Sequence, residues 1–291
     1  MTDWTFSKLN GQGNDFVLMD GIKQEINLDR DQIIHMCDRH FGIGADGIIV
    51  VRSSKVADFK MDYYNADGSV AEMCGNGIRC MARFIWEKGL SRKLKLNIET
   101  LAGIKGITID VNQKRVGNIR VNMGAPSFSA HSIPADVKRT GEVFGYNIKT
   151  GGQSFKLNLV SMGNPHCVIL LDHNEDLERF EVKKWGPLLE NHPLFPQKTN
   201  VEFIKIKDKQ SISMRAWERG VGQTLACGTG ACASAVAAIK LGKLDPGRIQ
   251  VDLAGGTVYV TWTEGGDVYL EGTTDYVFDG NYLKFKEGNN L

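Results

Sequence analysis

Apolar residues in this chain gather into short runs rich in valine and isoleucine, bounded by glycine, asparagine and aspartate, a pattern that predicts strands more often than amphipathic helices. Strands are predicted at Gly47–Val51, Phe59–Tyr64, Gly117–Asn122, Leu157–Ser161, His166–Leu171, Ser211–Trp217 and Thr257–Trp262, with a last one at Tyr282–Phe285. Helical periodicity is confined to Asp29–His40, Val182–Glu190 and two mostly apolar runs that follow Cys74 and Cys227. Gly220–Ile239 carries no charge and is long enough to span a bilayer. Its glycines, Gln223 and hydroxyl residues read instead as a loop running into a buried helix.

Several of these features occur twice at matching distances. Cys74-Gly75-Asn76-Gly77 and Cys227-Gly228-Thr229-Gly230 each open a mostly apolar run that ends at a glycine 15 residues after the cysteine, Gly89 and Gly242. A Gly-Asn pair precedes each cysteine, with Gly13 61 residues before the first and Gly163 64 before the second. Asn65 and Glu218 lie 9 residues before their cysteines, and Leu-Ala-Gly follows 27 and 26 residues after, at Leu101 and Leu253. Markers kept in register over such a distance indicate a duplicated domain. The expected fold is α/β: two pseudo-symmetric strand-rich domains, each with a central helix, and an active site in the cleft between them. The first domain is expected over residues 1–125, with 277–291 returning to it, and the second over 126–276. A chain of 291 residues is long enough to give each its own core.

Charge narrows the function. Thirty-five basic against 34 acidic residues, in no blocks, leave no footprint for a nucleic acid or a membrane surface and favour a small solute as partner. The N-terminus has no basic region followed by an apolar stretch, so the expected compartment is the cytoplasm. Six cysteines in a chain of this size and location read as thiols rather than disulfides. With no C-x-x-C pair and no ligand spacing among the histidines, no metal site is expected.

The two helix starts carry the chemistry. The first turn of a helix offers unpartnered N–H groups and the positive end of the macrodipole. A cysteine there is expected to be acidified, and the flanking glycines let a carboxylate approach the amides. Two such turns facing one another would hold a carboxylate while one thiolate removes the α-proton and the opposite thiol returns one. Cys37, Cys80, Cys167 and Cys232 lie among apolar residues and read as core. His35, His40, His131, His173 and His192 read as structural or surface residues, whereas His166, after Asn164-Pro165, reads as possible support for the site.

Met73–Cys80 and Ala226–Cys232 closely resemble the two signatures of the diaminopimelate epimerases. The resemblance extends to Gly11–Phe16, Asn65–Ser69, Ser161–His166, Thr199-Asn200 and Glu218–Gly220, in that family's order, and covers essentially the whole chain. It implies interconversion of LL- and meso-diaminopimelate in lysine and peptidoglycan synthesis, without PLP or any other cofactor, commonly by a homodimer. It further implies that Cys74 and Cys227 are the acid and base, and that the turns at Gly75, Asn76, Gly228 and Thr229 hold the reacting carboxylate. Asn14, Asn65, Asn164, Asn200, Glu218 and Arg219 would grip the amines and the distal carboxylate. Gly47 stands after Asp46 where some members carry glutamine. Two alternatives remain at this stage: a relative that racemises another amino acid, such as histidine, and a non-catalytic binding protein that kept the cleft.

Overall fold

The structure, a computed structural model, describes residues 3–137 and 141–283. The chain divides into two compact units, one made of residues up to Val121 together with those from Thr273 onward, the other of Asn122–Gly272. Elements of the first are β1 (Trp4–Gly11), β2 (Asn14–Asp20), α1 (Arg30–Cys37), β3 (Gly47–Arg52), β4 (Phe59–Asn65), β5 (Val70–Ala71), α2 (Gly75–Glu87), β6 (Lys95–Thr100), β7 (Gly103–Asn112) and β8 (Arg115–Gly124), within which the unit ends. The second contains β9 (Tyr146–Thr150), β10 (Gln153–Ser161), β11 (Pro165–Leu170), α3 (Val182–Glu190), β12 (Asn200–Asp208), β13 (Ser211–Glu218), β14 (Gly222–Thr224), α4 (Gly228–Lys240), β15 (Gly247–Leu253), β16 (Gly256–Trp262) and β17 (Val268–Gly272). The last strand, β18 (Asp275–Tyr282), belongs to the first unit.

The two units repeat strand for strand. In the first, neighbours run β18, β1, β2, β3, β4, β6, β7, β8, with β2–β3 and β4–β6 parallel and the other pairs antiparallel. The second runs β9, β10, β11, β12, β13, β15, β16, β17, with β11–β12 and β13–β15 parallel and the rest antiparallel. The parallel joints occupy the same places. In the second unit α4 touches β10 and β11 near one end of this order and β16 and β17 at the other, so the sheet wraps around the helix. In the first, α2 touches β18, β1, β2, β3 and β7.

The opposite face of each sheet is covered by the smaller helix. Val17, Met19, Ile48 and Val50 meet Ile33 and Met36 of α1, while Phe155, Leu157, Leu159 and Phe203 meet Val182, Trp185 and Leu189 of α3. Strands covered on both faces are apolar throughout rather than alternating, which is why β3 and β11 stand out in the sequence. The uncharged stretch before Ile239 becomes β14 and the buried α4, and among the described residues no helix is long and apolar enough to cross a membrane.

Two expectations shift. The first helix ends at Cys37 rather than His40, because the Asp38 carboxylate accepts from the N–H groups of His40 and Phe41, both at 2.7 Å, and draws the chain into a turn. Its start matches, with Asp29 as N-cap in a capping box with Gln32. The final strand lies earlier than Tyr282–Phe285, since its pairing with β1 begins at Asp275↔Asn10 and ends at Tyr282↔Trp4; residues beyond Leu283 lie outside the described residues.

Both principal helices stop in the same way. Gly89 and Gly242 have φ of 65° and 67°. Their N–H groups bond to Trp86 O and Ile239 O, and the next residues, Leu90 and Lys243, donate to Ile85 O and Ala238 O, the double bond of a Schellman cap. Nothing lies within 4 Å of a Cβ built on Gly242, so Gly242→Ala incurs only the left-handed backbone penalty, about 1–2 kcal/mol. Urea denaturation should show that loss, with near-native activity at 25 °C.

Candidate active site

In the first unit Cys74 is the N-cap of α2. Its extended backbone (φ −134°, ψ 126°) brings Sγ to accept from Gly77 N at 3.4 Å. The thiol donates to Asn14 Oδ1 at 3.5 Å, and that oxygen also accepts from Asn76 Nδ2 at 3.3 Å. Asn14 is oriented from behind, because its Nδ2 donates to Asp46 Oδ2 at 2.8 Å and Arg39 anchors Asp46 at 2.8 Å. Arg79, fully buried one turn into α2, reaches back to Asn76 Oδ1 at 2.9 Å, Gly75 O at 3.1 Å and Gln12 Oε1. Asn65 closes β4, its Nδ2 on Ser69 Oγ at 3.0 Å. Gly47 pairs with Asn65, and a Cβ there would stand 2.6 Å from Tyr64 O and 2.8 Å from the Tyr63 ring. Glutamine at this position would require the strand pair to move.

In the second unit Cys227 is the N-cap of α4 (φ −120°, ψ 108°), accepting from Gly230 N at 3.3 Å. Thr229 Oγ1 lies 3.7 Å from its sulfur and accepts from Asn164 Nδ2 at 3.3 Å. Asn164 Oδ1 meets His166 Nε2 at 2.9 Å, and His166 Nδ1 meets Glu202 Oε1 at 2.7 Å, with His166 and Glu202 both fully buried. Glu218 closes β13, takes a bond from Thr224 Oγ1 at 2.5 Å and lies against Cys227. Asn200 is committed at both ends of its amide: Nδ2 donates to Pro165 O at 2.9 Å and Oδ1 accepts from Arg219 N at 3.0 Å. It shapes the turn bearing Arg219. In each helix the first two amides, Gly75 and Asn76 or Gly228 and Thr229, precede the one capped by sulfur and have no intrahelical acceptor.

One sequence expectation is reversed for Cys227. Burial pushes this thiol well above its ordinary range, and the carboxylates of Glu218 and Glu202 push it further, against the smaller help of the Gly230 amide and Thr229 hydroxyl. Glu218 is itself raised by burial. The helix terminus does not win, because removal of water and two nearby negative charges oppose a thiolate more than one amide favours it.

Asp46, Arg79 and Glu202 join the site without having been singled out in the sequence. Glu202 had a readable signal, a charge set between Val201 and Phe203-Ile204, whereas Arg79 is one of two arginines in its run and Asp46 had no signal of its own. None of the six cysteines is in a disulfide, and Cys37, Cys80, Cys167 and Cys232 are buried in the core.

The diaminopimelate epimerase family model matches residues 6–129 and 158–277. A diaminopimelate epimerase of Carboxydothermus hydrogenoformans is 46% identical over 281 residues, covering 96% of this chain and 99% of its own. One from Pelotomaculum thermopropionicum is 44% identical over 279 residues, covering 95% and 98%. Among solved structures, a Bacillus anthracis phenazine biosynthesis protein of the PhzF family superposes with a TM-score of 0.70 at 20% identity, covering 98% of this chain and all of its own. A hydroxyproline epimerase from Agrobacterium vitis does so with a TM-score of 0.69 at 14% identity, covering 96% and 92%. The duplicated α/β fold is thus shared with these PhzF-family and hydroxyproline epimerase structures, and the sequence relatives make this protein an isomerase, an epimerase. The chain belongs to the diaminopimelate epimerase family.

Two measurements probe this geometry. Glu218→Gln removes a charge facing Cys227, so the pH midpoint for alkylation of Cys227 by iodoacetamide, followed by peptide mass, should move down; an unmoved midpoint would leave burial and Glu202 as the causes. Asp15, beside Asn14, is raised by burial, but Arg39 and Lys8, each 2.7 Å away, outweigh this and hold it at about 2, below its ordinary 3.8. The stability this confers is present above the ordinary value and is lost as pH falls through about 2. Asp15→Asn should therefore cost about 2 kcal/mol at neutral pH, with the difference from the parent shrinking below pH 4 in urea titrations.

Proposed function

We propose that this chain interconverts LL- and meso-2,6-diaminopimelate without PLP or metal, with Cys74 and Cys227 acting on opposite faces of one Cα. The observation that carries this reading is the repeated local geometry: in each unit a cysteine caps the helix inside the sheet, its sulfur on the third amide and the first two amides left over. Those amides, of Gly75 and Asn76 in one turn and Gly228 and Thr229 in the other, bind the reacting carboxylate and stabilise the charge that develops as the α-proton leaves. One cysteine, as thiolate, takes that proton and becomes a thiol; the other gives its S–H proton to the opposite face and is left as thiolate. The reverse reaction exchanges the roles.

Asn14, Asn65, Asn164 and Glu218 receive the ammonium groups, His166 supports Asn164, and Arg219, on the turn that Asn200 holds, pairs with the far carboxylate. An ammonium against Glu218 also offsets the carboxylate charge that keeps Cys227 protonated. The family resemblance supports two further parts of this reading, a homodimer and a cytoplasmic location.

Cys74→Ala and Cys227→Ala should each abolish epimerisation, whereas Cys80→Ala or Cys232→Ala should cost on the order of 1 kcal/mol in stability and leave turnover in place. In deuterated water at low conversion from the LL isomer, the meso product should carry deuterium well before the remaining substrate does, because the thiol that returns the proton drew it from solvent. Substantial unlabelled meso product would defeat the assignment of two independent thiols.

A further inference from the structure

Glu190, the last residue of α3, is a carboxylate only 5% exposed. Its Oε2 accepts from the Trp217 indole at 2.7 Å and its Oε1 from Gly220 N at 2.9 Å, with Lys198 Nζ 3.8 Å away. The two donors bracket Glu218 and Arg219. Residues 218–221 form a tight turn closed by Val221 N on Glu218 O at 3.1 Å, with Gly220 at φ 76°. The central N–H groups of such a turn ordinarily face solvent. Here both are held from behind by buried side chains, Arg219 N by Asn200 and Gly220 N by Glu190. The approach of α3 to β13 depends on Gly186, where a Cβ would stand 2.5 Å from the Trp217 ring.

We propose that Glu190 is a specificity-determining positioning residue, whose two accepted hydrogen bonds fix the turn from which Arg219 reaches the far carboxylate of the substrate. The proposal rests on the role given to Arg219 above. A carboxylate suits the task because it accepts from both donors at once, whereas a glutamine of the same shape accepts through one oxygen and turns an N–H₂ group toward the other donor.

The test compares the parent protein with Glu190→Gln, Arg219→Ala and the double variant. In the free protein, hydrogen exchange at the Gly220 amide should quicken at least about tenfold in Glu190→Gln, as expected for loss of a bond to a charged acceptor. KM for LL-diaminopimelate should rise by about tenfold, proportionally more than kcat falls. The double variant should bind no worse than Arg219→Ala alone, because the clamp acts through that arginine. Unchanged Gly220 exchange, or KM effects that multiply in the double variant, would overturn the proposal. A normal KM in Arg219→Ala would instead overturn the reading of Arg219, and Gly220 exchange would still report whether Glu190 holds the turn. Should Glu190→Gln fail to fold, Trp217→Phe removes one of the two donors and should raise KM about threefold; an unchanged KM there would also count against the clamp.

Discussion

A helix enclosed by its own sheet carries its unsatisfied first-turn amides into the protein, where water is scarce and an unpaired N–H is costly. Everything at this site follows from how that difficulty is met. A serine or aspartate would cap the third amide more strongly, but both α2 and α4 use a sulfur, a weaker acceptor that can also exchange a proton with carbon chemistry. Gly75 and Gly228 leave the first of the remaining amides in each turn without a side chain, and glycine also carries the amide that sulfur caps. Gly230 has no room for one, since a Cβ there would meet Glu202 at 2.7 Å.

Duplication supplied two equivalent caps, and later divergence made their surroundings unequal. Nine residues before each cysteine stands a different residue, Asn65 in one unit and Glu218 in the other. Around Cys74 the polar partners are amides, Asn14 and Asn76, braced by Arg79 and Asp46. Around Cys227 they are a hydroxyl and two carboxylates. The two caps, alike in backbone geometry, therefore sit in surroundings of different charge.

The sequence made the cysteines, the helices behind them and the doubly covered strands legible, because a repeat kept in register and an apolar run are both local patterns. It was less complete where partners meet from far apart. A last strand returning to the first domain is expected from the sequence, but the polarity of Asp-Tyr-Val-Phe-Asp-Gly-Asn-Tyr conceals that it is these residues, β18, that pair with β1 near the other end of the described chain. The thiol of Cys227 looked acidified from its helix position alone, and the reversal comes first from its burial and then from Glu218 and Glu202 on two neighbouring strands. Asn200 reads as a ligand contact in its motif, and what the motif does not show is that each end of its amide also holds main chain, at Pro165 and Arg219.

The strand order also sets a timetable for synthesis. The place that β9 fills beside β10 in the second unit is filled beside β1 in the first by β18, which is made only after the whole second repeat. On the ribosome the second repeat can complete its sheet from contiguous chain. The first must hold β1 with one edge bare until translation has passed through its twin. Assembly thus finishes where it began, and the half bearing Cys74, although made first, is the later of the two to be sealed.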